Sequence, residues 1–328
     1  MSYQPPFRIS DEIVDLLAQI SHALGKLDYL QYSPQAVELR KISRIKTITG
    51  TLQIEGNTLT EKQITAVLEG KTVLAPMREI SEAQGAILLY QKADSFDYQN
   101  QNHLLQAHRL LMEGLLNHAG QYRNQTVGVH GAEGMTHIAP PASRVSGLMD
   151  ELFGWLNHTT THPLISSSVF HYEFEFIHPF EDGNGRMGRF WQYLILNHWN
   201  PVFSLVPVEN MIKNRQQEYY QALQQAGEMG ESTVFITYMC QVISDAITSL
   251  QLYSDQVNDY VSDQVKRLLT VLSNNWLSTT EIMGLLSLSH KPTFRKNYLE
   301  PALKLKLIEM RFPDSPRSPK QKYRKRMV

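Results

Sequence analysis

The chain has 328 residues, of which 42% are hydrophobic and 19% charged, with a formal net charge of -1. That is enough to bury a substantial core and leads us to expect more than one domain, and the balanced charge excludes a molecule built to bind nucleic acid or a membrane over its whole surface. One cysteine, Cys240, excludes an intrachain disulfide and a thiolate zinc cluster.

No signal segment is read at Met1-Ser2-Tyr3-Gln4, and each apolar run is read as broken by charge short of the roughly 20 residues that span a bilayer. A cytoplasmic protein without a membrane span is therefore expected. Most of the first 250 residues carry apolar positions at helical spacing, so the fold class expected is mainly α. Helices are predicted to start near Ser10, near Glu38 and at Thr60, where Thr60 and Gln63 suit a capping box. Others are predicted at Ile80 to Asp94, Asn102 to Asn117, Ser143 to Asn157 and Ser166 to Ile177.

Between Tyr122 and Pro141, Thr126-Val127-Gly128-Val129-His130-Gly131 and Met135-Thr136-His137-Ile138 flank a Gly-rich turn and predict a β-hairpin. A second glycine-rich turn, Asp182 to Gly185, lies between a helix ending near Ile177 and one starting near Asn184. A polar helix from Ser254 to Asn274 then leads into a basic C-terminal segment. No repeat of 20 to 50 residues is evident, which argues against a solenoid.

Chemistry concentrates at His178-Pro179-Phe180-Glu181-Asp182-Gly183-Asn184-Gly185-Arg186-Met187-Gly188-Arg189. Two glycines at a helix N-terminus let successive N–H groups converge on an anion. Arg186 and Arg189, three apart, can reach the same anion from one helix face. Asp182 offers the single carboxylate that Mg²⁺ commonly takes when phosphates complete its shell. His178, one rigid Pro179 away, can accept a proton from an attacking hydroxyl near neutral pH, and Phe180 reads as a buried anchor. Taken singly, a His-Pro at a helix end or an Asp-Gly-Asn-Gly turn has an ordinary structural explanation. Base, metal ligand, nest and two arginines within twelve residues form a combination that does not.

This segment resembles the Fic signature, His-x-Phe-x-(Asp/Glu)-Gly-Asn-Gly-Arg-x-x-Arg, at every defined position. The resemblance implies a Fic-type helical bundle with a β-hairpin flap, and transfer of AMP from ATP to a Ser, Thr or Tyr hydroxyl of a target protein or of the chain itself. By the same resemblance His178 is the general base, Asp182 holds Mg²⁺, and Gly183, Asn184, Gly185, Arg186, Met187, Gly188 and Arg189 bind ATP. Related death-on-curing kinases carry Lys at the place of Gly185, so Gly185 points to AMP transfer. The hairpin is similar to the family flap, which makes Thr136 and His137 ATP-site candidates, and Tyr219 with Tyr220 resembles the tyrosine pair bordering the nucleotide; where some relatives follow with Asn, this chain has Gly227.

Upstream, Thr51-Leu52-Gln53-Ile54-Glu55-Gly56-Asn57 resembles the family's inhibitory motif. Glu55 is then expected to pair bidentately with Arg189 and deny it to the γ-phosphate. Gly50, beside Thr51, costs about 1 kcal/mol inside a helix, so this helix is expected to be locally weak or to end early. In some relatives the same Glu removes AMP instead.

Residues 287–328 hold twelve Lys and Arg against three acids. Ser278 and Glu281 suit a capped helix carrying Ile282, Met283, Leu285 and Leu286; a second helix is predicted at Lys291 to Lys304, and Leu307 to Phe312 with Gln321 to Tyr323 reads as a β-wing. The pattern resembles the winged-helix module that follows Fic domains in bacterial proteins. It leaves open DNA binding, target docking or homodimerisation. Expected domains are residues 1–100, carrying the inhibitory motif, 101–252 as catalytic core and 253–328 as linker helix and winged helix. The competing functions are an AMP-removing hydrolase using Glu55 and a nucleotide-sensing DNA-binding regulator.

Overall fold

The computed structural model describes residues 3–28, 30, 36–125, 127–131, 134–260, 262–272, 275–304, 307–313, 315–316 and 318–325, with backbone alone at 128–131, 134–138, 253–260, 263 and 266. The chain divides into two compact units, Met1–Asp28 with Arg40–Thr248 and Tyr29–Leu39 with Ser249–Val328.

In the first unit, Ser10 starts helix α1 (Asp11–Leu27) by accepting the N–H of Ile13, and the helix buries Ile13, Leu16, Ile20, Leu24 and Leu27 along one stripe. Helix α2 (Ala36–Ile54) runs unbroken through Gly50, against the expected weak point. The reason is packing: a Cβ at Gly50 would sit 2.7 Å from the backbone of Glu209 and Asn210. Helix α3 (Glu61–Leu68) forms the predicted capping box of Thr60 and Gln63. Helix α4 (Met77–Gln91) ends in a 3₁₀ turn at Ala93–Ser95. Helix α5 (Gln101–Met112) stops short of the predicted Asn117, because Gly114 turns the chain at φ 75°.

The hairpin forms from β1 (Gly128–Gly131) and β2 (Gly134–Ile138), antiparallel, with Val129 opposite His137 and an irregularity after Val129. Thr126 lies outside the described residues. Helix α6 (Ala142–His158) follows. Helix α7 (Pro163–Ile177) begins three residues before the predicted Ser166, since Pro163 is suited to the first turn and His162 accepts the N–H of Leu164. It is buried on nearly every side and packs against α8 (Asn184–Trp199), so this pair forms the centre of the unit and the link between them carries the signature.

A 3₁₀ turn (Pro201–Leu205), α9 (Val208–Asn214), α10 (Gln216–Met229) and α11 (Thr233–Tyr260) complete the order. The expectation that every apolar run is too short for a membrane needs correcting at Thr233–Leu252, which is 20 residues long with mean hydropathy 1.3. Phe235, Ile236, Met239, Cys240, Val242, Ile243 and Ile247 are nonetheless fully buried within the fold, so its apolarity serves the core.

In the second unit the predicted helix Ser254 to Asn274 is broken: a new helix, α12 (Asp263–Val271), begins under a Ser262 cap, and Asn274 lies outside the described residues. Strand β3 (Leu277–Ser278) leads into α13 (Thr279–Leu285), whose capping box joins Ser278 and Glu281. Ile282, Met283 and Leu286 are buried, while Leu285 faces solvent. The predicted Lys291 to Lys304 helix forms in three pieces, α14 (Lys291–Phe294), a π-helical turn (Arg295–Leu299) and α15 (Glu300–Lys304). Pro301 lacks an N–H and crowds the preceding turn, which the wider π turn accommodates.

Strands β4 (Ile308–Met310) and β5 (Lys322–Lys325) form the wing, and β3 adds to β5 in a three-stranded antiparallel sheet of order β3-β5-β4. Gln321 closes the base of the wing through Phe312 instead of joining the strand. Val265, Leu268, Ile282, Phe294, Tyr298, Leu299, Ile308 and Tyr323 share this unit's core.

Candidate active site

The chemistry sits where α7 ends. His178 takes a left-handed conformation (φ 49°, ψ 60°) while its N–H still donates to the Phe174 carbonyl at 2.9 Å. Pro179 causes the break by disfavouring a right-handed turn in the residue before it. Phe180 is fully buried and lies flat on the His108 ring, centroids 3.6 Å apart. Asn184 locks the loop, accepting the Phe180 N–H and donating to the Phe180 carbonyl, both at 2.9 Å. Gly183 starts α8 at φ 84°, and a Cβ there would come 2.9 Å from the Met112 sulfur.

Two residues outside the signature hold this loop from behind. The Gly120 N–H donates to His108 Nδ1 at 2.8 Å, so the ring's proton is on Nε2, which donates to the Asp182 carbonyl at 2.9 Å. Burial pushes the His108 pKa down to about 4, keeping it neutral. The Arg123 guanidinium donates to the carbonyls of His178 (2.7 Å), Ile177 (3.2 Å), Gln125 (2.8 Å) and Pro140 (2.6 Å), tying the end of α7 to both stems of the hairpin. The one sequence signal for His108 is its place on the buried face of α5 with Leu104, Ala107 and Leu111; Arg123 carries none, because its partners lie in three separate segments.

The opposite face is built for an anion. Asp182 Oδ1 accepts from the Gly183 N–H (2.6 Å) and from Arg186 (3.1 Å), while Oδ2 accepts from exposed Arg78 (3.3 Å). The Arg186 side chain is 4% exposed. Its Nε and Nη1 are buried with no hydrogen-bond partner among the described residues, and Glu82 Oε1 stands 3.9 Å from Nη1. Buried donors left unmatched carry a cost that a bound phosphate would remove. Among the described residues no cluster of three His, Cys, Asp or Glu groups could cage a metal. A lone, partly exposed Asp182 beside these donors fits Mg²⁺ brought in with phosphates.

Arg189 is buried and already engaged. Its Nη2 donates to Glu55 Oε1 (2.6 Å) and to the Thr51 carbonyl (3.2 Å), and its Nε donates to Thr51 Oγ1 (2.9 Å). The bidentate fork expected with Glu55 is thus replaced by one bond to Glu55 and two to Thr51, since α2 runs alongside the guanidinium. Burial works against the Arg189 charge, but Glu55, Tyr219 and Glu175 outweigh it and raise its pKa.

Glu55 is placed by the stop signal of α2. Gly56, at φ 87°, donates to the Gln53 carbonyl and Asn57 to the Leu52 carbonyl, the bond pair of a Schellman cap. Gln216 and Tyr220 cap the Ile54 carbonyl, and Asn57 donates to Glu82 on α4. Gly185 gives Glu55 its room, because a Cβ there would overlap Glu55 Oε1.

The remaining sequence candidates separate. Met187 is fully buried, and Gly188 faces inward, where a Cβ would come 2.8 Å from His171. Tyr219 is in the core with its hydroxyl donating to His171 Nε2 at 3.0 Å, whereas Tyr220 reaches the last residue of α2, Ile54. Thr136 and His137 lie on β2, opposite β1 in the hairpin, as backbone positions.

Residues 98–196 match the Fic/DOC family, and residues 263–325 match the C-terminal domain of Filamentation induced by cAMP protein Fic-like. A crystal structure of a Fic family protein from Desulfovibrio desulfuricans G20 is similar over 99% of both chains, at 45% identity and a TM-score of 0.76. The chain belongs to the Fic family. The residues matched to the Fic/DOC family include the loop from His178 to Arg189.

The Protein adenylyltransferase Fic of Culex quinquefasciatus is 31% identical over 215 residues, covering 61% of this chain and 40% of that protein. This Fic chain thus spans about 40% of the length of that curated relative. A Fic-1 structure from Caenorhabditis elegans, 22% identical with a TM-score of 0.62 over 75% of this chain, shares the fold.

Proposed function

We propose that this protein transfers AMP from ATP to a hydroxyl of a protein, and that Glu55 holds the reaction back. The observation that carries the reading is the pair of buried arginines one turn apart on α8, Arg186 with unmatched donors and Arg189 held by a carboxylate of its own chain. An anion site of that strength, with a histidine at its edge, suits a triphosphate more than a neutral ligand.

In this reaction His178 accepts the proton of the attacking hydroxyl. The oxygen bonds to the α-phosphorus, the bond to the bridging oxygen of the β-phosphate breaks, and pyrophosphate leaves. Arg186, the N–H groups opening α8 and, once Glu55 has moved, Arg189 take up the charge on the outer phosphates. Mg²⁺, when bound by Asp182 and phosphate oxygens, supplies further charge neutralisation. The β1–β2 hairpin offers an extended acceptor segment a strand to pair with, and the acceptor is a partner protein or the chain itself.

Intact mass after incubation with ATP and Mg²⁺ tests this on wild type, Glu55→Gly and His178→Ala. An AMP adduct strongest in Glu55→Gly and missing in His178→Ala is expected; equal adducts in all three would sink the reading. A second reading has one observation in its favour: the Glu55 side chain is 35% exposed and spends a single oxygen on Arg189. It could orient a water that removes AMP, which release of AMP from a pre-modified target would detect.

For the C-terminal unit we propose DNA binding by a winged helix. Lys291, Arg295, Lys296 and Lys304 are exposed along the helix before the wing, and Arg311 and Lys320 are exposed on the wing. Retention of duplex DNA that falls with added salt supports it; salt-insensitive or absent retention leaves target docking or dimerisation.

A further inference from the structure

Glu175 is a carboxyl group that the reaction above does not use. It stands one turn before His178 on α7, with its side chain only 11% exposed. Burying a carboxyl without hydrogen bonds is costly, yet Oε1 is buried with no hydrogen-bond partner among the described residues. The fold makes room for it: a Cβ at Gly188 would come 2.9 Å from Glu175 Oε1.

Two imidazoles flank this group, His171 with Nε2 at 3.8 Å from Oε1 and His178 with Nδ1 at 4.0 Å from Oε2. His171 has nothing to offer. Its Nε2 accepts the Tyr219 hydroxyl and its Nδ1–H goes to Gln192 Oε1 at 2.7 Å. Gln192 is held in that sense by donating its own N–H to Ser168. His178 remains: Nδ1 is a buried atom on a side chain that is 19% exposed.

We infer that Glu175 is a positioning residue for His178, accepting Nδ1–H so that the Nε2 lone pair faces the acceptor hydroxyl, and stabilising the imidazolium once Nε2 has taken the proton. The inference rests on the AMP-transfer reading. The proton moves from hydroxyl oxygen to Nε2 as the new O–P bond forms and the bond to pyrophosphate breaks; Glu175 gains and loses no proton in the step. At 4.0 Å the contact is longer than a hydrogen bond, as such contacts often are before substrate binds.

The groups facing Glu175 are His171 and His178 on its own helix, Arg189 from α8, Glu55 from α2 and Tyr219 from α10. Burial pushes its pKa up to about 8, Arg189 lowers it and Glu55 raises it further. Departure of Glu55 therefore favours the ionised carboxylate that serves the histidine.

The test compares Glu55→Gly with the double variants carrying Glu175→Met or Glu175→Gln, using kcat and the KM for ATP. Met fills the space without an acceptor, so kcat should fall about 10²-fold with KM nearly unchanged, while Gln, which keeps an acceptor oxygen, should restore part of it. Unchanged kcat in the Met variant, or a change confined to KM, overturns the inference and makes Glu175 a structural neighbour of Arg189. Independently of any variant, long-range ¹H–¹⁵N spectra of the full chain with labelled histidine should place the His178 proton on Nδ1; a proton on Nε2 overturns it. Failure of the AMP-transfer reading shows separately, as no incorporation by Glu55→Gly itself.

Discussion

The back and the front of the His178–Arg189 loop are built on opposite terms. Behind it, Asn184 satisfies both backbone groups of Phe180, His108 uses both ring nitrogens, and Arg123 saturates four carbonyls. In front, Arg186 keeps its buried Nε and Nη1 without a hydrogen-bond partner among the described residues, Asp182 turns its second oxygen to exposed Arg78, and Arg189 leans on Glu55. The loop's shape is thus set before any ligand arrives, whereas its charge is provisionally answered by the chain's own side chains. Changes behind the loop should cost stability, and changes in front should alter binding and transfer.

Acid should undo the back most severely. The folded-state pKa values of His108 and His171 are depressed by burial to about 4 and about 3, so their contribution is complete above the unfolded value of 6.5 and is lost as pH falls through that window. On the order of 3 kcal/mol for each histidine should disappear by pH 4, read as a falling midpoint in urea titrations between pH 7 and 4. Glu175 acts in the other direction: burial raises its pKa to about 8, so its contribution is present below the unfolded value of 4.5 and is lost as pH climbs through about 8.

Arg123→Ala should come next, at about 4 kcal/mol, because four carbonyls at the turn lose their donor at once; denaturant unfolding measures it, and a loss under about 1 kcal/mol would show that water replaces the guanidinium freely. Gly56→Ala strains the left-handed cap of α2 and should cost about 1 kcal/mol. It should also raise AMP transfer, since the same cap places Glu55. The smallest effect belongs to Arg78→Ala. An exposed ion pair contributes under about 0.5 kcal/mol, so stability should hold while Mn²⁺ titrated into the ATP complex binds Asp182 more tightly; weaker binding would contradict the view of Arg78 as a stand-in cation.

The front of the site is far more legible in the sequence than the back. Asp182, Arg186 and Arg189 fall within eight residues, and local spacing alone brings them to one helix start. Glu55 is 134 residues from Arg189, and only its resemblance to the inhibitory motif singles it out; the 2.6 Å contact depends on α2 lying beside α8. His108 and Arg123 act through carbonyls 74 and 55 residues away, and a backbone carbonyl leaves no mark on a sequence. Gly50 misled for a related reason, since helix propensity counts its missing side chain as a loss while the structure uses it for the approach of Glu209. In the second unit the helices were legible from capping residues and apolar spacing, but the two-residue strand β3 was too short to show a pattern.

The claim that joins these regions is that Arg189, once released by Glu55, completes a site that transfers AMP. Incubating wild type and Glu55→Gly side by side with ATP labelled at either the α- or the γ-phosphate tests it most directly. The account predicts α-label on protein, at least about tenfold stronger in Glu55→Gly, one held ion pair of roughly 1.4 kcal/mol being sufficient for that factor, with no γ-label in either. Incorporation of γ-label, or equal α-label in the two proteins, would contradict it.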